Sequence, residues 1–542
     1  MTVIRPPELR VAEATGPSSV AAGAERTAGR RRPLPGARTH GPTTVPAPHA
    51  PAAPPPPSTP SVLPGLPEGP ATPPPDLAAG EPGTLHAGVG TRIEGPELLP
   101  LQAGEQYRFT FAMDACIGCH SCEVACAEQN GLPADTAWRR VGELEGGEHP
   151  DTRRFHLSMS CNHCLDPACL TGCPTEAYVK LDNGVVAHKA DECIGCEYCT
   201  WNCPYSVPAF QPDRRIVTKC DMCLPRLEAG RAPACVGACP TRALDVEPVD
   251  VAAWRADHRA ADAPHLPSSD ITLSTTRIDL PAHVPLATVA ASDALIRPEQ
   301  PHWPLVVLTL LTQAALGVSL TAGGTVDRTI AAGLAAAALG ASLLHLGRPW
   351  HAWKALRNLR RSWLSREVAL LGVYAALAAT AVVVAPLAPV AAAVGVAGVF
   401  ASGRLYVVPG RPAWNTPLTI VAFWLAGLAT GPLLTGHRDL AAAALGAQLT
   451  VWLANLVRLG RDPRREWRGT VALHRHPFLG LSLLRAGCAL AAAGLAVATA
   501  APALVVLALA GLGELVGRYL FYVTVVPLDI PGSFLARPRS HR

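Results

Sequence analysis

From Trp303 onward, apolar residues run in long blocks instead of alternating with polar ones. Eight stretches, near 303–322, 329–347, 367–386, 388–408, 417–435, 439–458, 478–499 and 501–525, are each about 17–25 residues long, enough to cross a hydrocarbon core as helices. The fourth is the least uniform, because Pro389 and Arg404 interrupt it. Before Trp303 the pattern changes. QYRFTFAMDAC alternates, predicts a short strand and opens a soluble region of about 105–250. Residues 251–302 are polar and Pro-containing and read as a linker. Residues 1–104 are rich in Pro, Ala and Gly, as in APHAPAAPPPPSTP. With so few large apolar residues they cannot build a core, so a disordered tail is expected.

Composition supports a membrane class: 49% of the 542 residues are hydrophobic and 16% charged. The net charge of +4 hides an asymmetry. Residues 105–250 hold 13 Lys and Arg against 21 Asp and Glu, whereas 303–542 hold 21 against 7, so the two regions attract. The start, MTVIRPPELR, has no apolar run after it, and Arg30-Arg31-Arg32 is followed by Pro and Gly. Neither reads as a secretion signal. The loop after span two carries Arg348, Lys354, Arg357, Arg360, Arg361 and Arg366. The loop after span six carries Arg458, Arg461, Arg464, Arg465, Arg468 and Arg475, and the loop after span four adds Arg411. The opposite side has Arg328 and Arg438. With eight spans, the rich loops share a side with the soluble region, and the positive-inside rule places that region in the cytoplasm of a multi-pass cell-membrane protein. A competing explanation is that these arginines seat the acidic soluble region.

Sixteen of the 17 cysteines lie between Cys116 and Cys239. They form four groups: Cys116, Cys119, Cys122, Cys126; Cys161, Cys164, Cys169, Cys173; Cys193, Cys196, Cys199, Cys203; and Cys220, Cys223, Cys235, Cys239. The repeated spacing lets three thiolates wrap one cubane while the fourth ligates its neighbour, with Pro174, Pro204 and Pro240 turning the chain away afterwards. Cys116 to His120 also matches a C-x-x-C-H haem attachment run. A lone haem motif leaves the other cysteines unexplained, so four 4Fe–4S clusters are expected; structural zinc is the remaining alternative.

This arrangement resembles the four-cluster iron–sulfur subunits of the dimethyl sulfoxide reductase class of molybdopterin oxidoreductases. The resemblance implies a pairing of groups. Cys116, Cys119, Cys122 and Cys239 would hold one cluster, and Cys220, Cys223, Cys235 and Cys126 the next. Cys161, Cys164, Cys169 and Cys203 would hold a third, and Cys193, Cys196, Cys199 and Cys173 the fourth. Three membrane stretches, HLGRPWHAWKALRNLRRSWLSRE (345–367), YVVPGRPAWNT (406–416) and GRYLFY (517–522), resemble the polytopic anchor subunit of the same family. That likeness implies eight spans, no haem, menaquinol oxidation, and a quinol site using His345 and Glu367. A histidine that titrates near neutrality and an interfacial carboxylate suit quinol, which releases protons as it is oxidised. Against this, His345 could simply meet headgroups and Glu367 could cap its helix. Among other ionisable residues in the spans, Glu514 and Arg518 lie at i,i+4 and are expected to pair, while Arg485 needs a bundle-interior partner.

The fold expected is multi-domain: an α+β double bacterial-ferredoxin-like domain followed by an all-α eight-helix transmembrane bundle. Two subunits that are separate in the family are here one chain. The function expected is an electron-transfer and membrane-anchor protein of anaerobic respiration, passing electrons from menaquinol through four clusters to a molybdenum–bis-pterin catalytic subunit. The alternative runs the same wire in reverse, from formate or a sulfur compound to quinone. A cation-translocating module has only one or two intramembrane acids to rest on. Lipid and quinone are expected partners, and nucleic acid is not.

Overall fold

The computed structural model describes residues 98–530 apart from 134–135, 148, 283–287, 291–295 and 499–500. Most of the tail expected at 1–104 therefore lies outside the described residues. Its last part does not behave as a tail: Leu98 and Leu101 pack on the core of the cysteine region, and Leu99 O accepts the Tyr107 hydroxyl at 2.9 Å.

The alternating stretch forms strand β1, Glu105–Ala112. Two further strands, β2 (Arg140–Gly146) and β3 (Arg153–Met159), pair antiparallel with Arg140 opposite Met159. Strand β4, Leu244–Asp250, pairs antiparallel with β1, and β5, Arg277–Asp279, pairs with its other edge in parallel. The period-two pattern buries Phe109, Phe111 and Met113 against Leu144 and Leu157. Around these sheets the cysteine-bearing segments form short helices: α1 (Ser121–Gln129), α2 (Ala168–Gly172), α3 (Tyr198–Asn202) and α4 (Ala234–Gly237).

Residues 251–282, expected as part of a linker, are instead packed onto this region. Trp254 is buried and donates to Ser274 O at 2.9 Å. Thr275 and Thr276 donate to the backbone carbonyl and side chain of Asn162. The polar run SSDITLSTT hides a core role because its hydroxyls satisfy backbone groups that the cysteine turns leave open.

Among the described residues, eight helices are long and apolar enough to cross a membrane: α5 (Trp303–Thr321), α6 (Thr325–Leu343), α7 (Trp363–Ala381), α8 (Ala388–Leu405), α9 (Pro417–Leu434), α10 (Arg438–Arg461), α11 (Leu479–Val497) and α12 (Ala503–Val523). Pro389 does not break the fourth, because it sits in the first turn, where its missing N–H costs nothing. The i,i+4 pair expected between Glu514 and Arg518 does not form. Glu514 accepts from Gln448 of α10 at 2.7 Å, and Arg518 donates to Gln313 of α5 at 2.8 Å. Each side chain reaches a different neighbouring helix, and Arg485 is the main charged neighbour of Glu514.

Helices α5 and α9 meet backbone to backbone. A Cβ on Gly317 would lie 2.0 Å from Gly427 O, and one on Gly431 would lie 2.4 Å from Gly317 C. Gly427 and Gly431 form the small-xxx-small spacing that lets membrane helices approach closely. Gly317→Leu should therefore force α5 from α9, at about 1–3 kcal/mol or more for overpacking. A fall in the melting temperature of the detergent-solubilised protein checks this, with Gly333→Leu, which has nothing within 4 Å, as the neutral control.

Candidate electron-transfer centres and quinol pocket

The cysteine turns wind with their amide N–H groups towards sulfur. His163 N reaches Cys161 Sγ at 3.5 Å, Met222 N reaches Cys220 Sγ at 3.4 Å, and Ala177 N reaches Cys173 Sγ at 3.4 Å. Such winding needs left-handed backbone, supplied at Gly118 (φ 66°) and His120 (φ 61°) in the first group and at Gly195 (φ 68°) and Glu197 (φ 58°) in the third.

The thiols gather in four cages. Cys116, Cys119, Cys122 and Cys239 line one cavity. In the second cage the Asn130 amide lies 3.8 Å from Cys126 Sγ and 4.0 Å from Cys223 Sγ, while Cys126 also interacts with Cys235 and Cys220 with Cys126. Cys161, Cys164, Cys169 and Cys203 line the third. Cys199 interacts with Cys196, Cys193 and Cys173 in the fourth. Consecutive cages share short elements. Helix α1 bears Cys122 and Cys126 for the first two; α2 with its cap bears Cys169 and Cys173, and α3 with its cap Cys199 and Cys203, for the last two. Burial pushes the Cys122 and Cys223 thiols up to about 11 and those of Cys126 and Cys164 up to about 12, each partly offset or reinforced by neighbouring charges. These dry, closely grouped sulfurs suit iron, which takes thiolate. His120 is engaged elsewhere, its Nδ1 lying 2.7 Å from Glu123 Oε2.

The fourth cage faces the membrane helices. The segment between α6 and α7 hydrogen-bonds the outward carbonyls of its turns. Arg348 N donates to Ile194 O (3.0 Å), Arg348 Nη1 to Ala190 O (3.0 Å), Asn358 Nδ2 to Cys173 O (2.8 Å) and Ser362 Oγ to Gly172 O (2.7 Å). Lys354 and Arg357 both pair with Glu192. These basic residues do seat the acidic region. Gly347 allows the contact, since a Cβ there would lie 2.3 Å from Arg215 O.

His345 Nε2 lies 2.8 Å from Cys196 O. Its ring is 6.0 Å from His302, which is 5.3 Å from Trp201, the residue two beyond Cys199 on α3. Trp201 also packs against Tyr406 (5.7 Å), Trp414 (5.3 Å) and Tyr522 (6.4 Å), and the Tyr406 and Tyr522 hydroxyls are 2.5 Å apart. Burial, with His345 adjacent, pushes His302 down to about 4; burial also lowers His345, partly offset by the Cys196 carbonyl. In both rings burial favours the neutral form. Glu367 is buried with Ser402 as its hydrogen-bonding neighbour, and it interacts with Tyr198, Tyr406 and Tyr522. It does not cap α7, because Ser362 accepts the Ser365 amide there.

Sequence reasoning picks out His345 and Glu367 but not His302, Trp201, Tyr406, Trp414 or Tyr522. Three of these lie within the stretches 406–416 and 517–522, and that is the available signal. His302 sits at the end of the supposed linker and has none.

The family model for a 4Fe–4S dicluster domain matches residues 152–248, and that for the DMSO reductase anchor subunit matches 298–472. The protein is 41% identical over 177 residues to a component of the anaerobic dimethyl sulfoxide reductase of Haemophilus influenzae, an alignment that takes in 31% of this chain and 86% of the relative. It is 37% identical over 160 residues to a component of the sulfite dehydrogenase of Allochromatium vinosum (26% and 67%), and 32% identical over 168 residues to a formate dehydrogenase iron–sulfur subunit of H. influenzae (28% and 54%). A ferredoxin-like region with grouped cysteine cages, continued into eight apolar helices that match an anchor model, makes this chain a member of the dimethyl sulfoxide reductase iron–sulfur subunit family, fused to the anchor subunit of the same system.

Proposed function

We propose that the chain oxidises menaquinol beside the fourth cysteine cage and passes the electrons along four 4Fe–4S clusters to a molybdenum–bis-pterin catalytic subunit of dimethyl sulfoxide reductase type. The clusters would be held by Cys116, Cys119, Cys122 and Cys239; Cys220, Cys223, Cys235 and Cys126; Cys161, Cys164, Cys169 and Cys203; and Cys193, Cys196, Cys199 and Cys173. Each cluster, when bound, takes and passes one electron at a time. Helices α1, α2 and α3, with their caps, each bear cysteines of two cages, an interleaving that suits paired clusters better than separate zinc sites.

One observation carries this reading. Trp201, on the helix that bears Cys199, is packed among His302, Tyr406, Trp414 and Tyr522, while His345 bonds the Cys196 carbonyl. Groups able to accept protons thus abut the terminal cage. His345 and Glu367 take the two protons of quinol, and the packed aromatic rings exclude water. At the first cage Cys119, Ile117 and Val124 are exposed and offer a face for the catalytic partner. The relatives named for sulfite and formate dehydrogenases favour a second reading, with electrons running from the partner to quinone. The cysteine region is assigned to the cytoplasm. Three cations after α6 are explained by docking, but Arg458, Arg464 and Arg465 bond within the membrane half, and the excess in that loop still follows the positive-inside rule.

Protein purified gently from its own membranes should contain about sixteen iron atoms per chain and a large co-purifying subunit with molybdenum or tungsten. Iron at that level with no such subunit would remove the partner. Glu367→Gln should slow quinol oxidation at least about tenfold, in line with loss of a general base, while keeping every cluster signal. Unchanged turnover would return Glu367 to a packing role. Protease added to right-side-out vesicles should cut the cysteine region only after lysis; cleavage in intact vesicles would place it outside.

A further inference from the structure

Among the described residues, two cations are buried inside the cysteine region with no carboxylate bonded to either. Arg139 is 2% exposed. Its guanidinium donates to Ser158 O (3.3 Å), Ser158 Oγ (3.1 Å) and Ser160 Oγ (2.9 Å), and it lies 4.7 Å over the Phe109 ring. Ser158 Oγ is in turn 3.3 Å from Cys122 Sγ. Lys219 is 3% exposed. It donates to the carbonyls of Val186 and Cys220 and lines the cavity of the third cage. All these hydrogen-bond partners are neutral. A buried charge without a counter-charge is strongly disfavoured; the anionic groups around Arg139 are sulfurs, and those around Lys219 are sulfurs together with Asp221.

Those sulfurs belong to two cages in each case. Arg139 acts on Cys122 of the first cage and on Cys235, Cys220 and Cys126 of the second. Lys219 acts on Cys161 and Cys169 of the third and on Cys220 of the second. Between the third and fourth cages, Tyr178 is buried beside Cys169 of the third and Cys173 and Cys199 of the fourth.

We propose that Arg139 and Lys219 are redox-positioning residues, fixed positive charges at the first and second junctions of the cage row that raise the reduction potentials of the clusters on either side. This rests on the four-cluster reading above. The physical ground is Coulombic: an electron added to a cluster is stabilised by a nearby cation, the more so in a poorly screened interior. At the fourth cage the neighbouring cation is Arg348, which acts on Cys193 from the segment between α6 and α7 and does not stand between two cages. With a cation at both of its junctions, the second cage gains most, and the first and third gain less.

The test is a redox titration of the purified holoprotein followed by electron paramagnetic resonance, with iron content measured alongside. Arg139→Gln should shift two of the four signals to lower potential, by about tenfold in the ratio of reduced to oxidised cluster, or about 59 mV for one electron. Arg139→Lys should restore most of the shift, which a purely structural role would not require. Lys219→Gln should also shift two signals, sharing just one with Arg139→Gln, and one signal should move in neither variant. Full iron with all four potentials unmoved would overturn the proposal. Loss of iron in both Gln variants would overturn it too, assigning the cations to assembly. Fewer than four signals in the unaltered protein would instead sink the four-cluster reading, and the proposal with it.

Discussion

A chain wrapped around sulfur has to turn its carbonyls outward. The cysteine turns aim their amide N–H groups at Sγ atoms, so the opposite faces of the same peptides present acceptors. Where those acceptors are exposed, water satisfies them. Where another part of the protein covers them, it must bring donors, because an unpaired buried carbonyl is costly. The segment between α6 and α7 does this with Arg348, Asn358 and Ser362. The basic character of that segment thus follows from what it covers. So does Gly347, which lets the backbone approach without a side chain between.

That contact also makes the proposed quinol pocket a composite. Trp201 comes from the cysteine region, His302 from the residue preceding α5, His345 from the end of α6, Glu367 from α7, Tyr406 from the end of α8 and Tyr522 from α12. No single span could present this set. The fusion of two family subunits in one chain holds both sides of the pocket at a fixed ratio.

Much of this was legible in the sequence for identifiable reasons. Eight spans show as long apolar blocks, and the bounds differ from the helices by a few residues because flanking residues such as Leu344 and Leu346 are also apolar. The cages show because thiol spacing is a local geometric requirement. What escaped reading depends on tertiary contacts. The run SSDITLSTT looks like linker, yet its hydroxyls serve buried backbone, and Thr272 reaches Cys164 Sγ at 3.2 Å. Arg139 and Arg140 are adjacent in sequence with nothing to tell them apart, yet Arg139 is buried and Arg140 reaches Asp529 at 3.1 Å. Glu514 and Arg518 have the spacing of a pair, but different neighbours claim them.

The segment after α12 returns to the cysteine region. Leu528 O accepts from Ser206, Asp529 pairs with Arg140, and Ile530 is buried in the same hydrophobic core as Phe109 and Leu157. Residues that leave the ribosome after the last span thus complete the interior of a domain begun more than 400 positions earlier. The place that Ile530 fills in that core can be occupied only after the eighth helix has been synthesised, so the last packing contact of the cysteine region follows the membrane half in time.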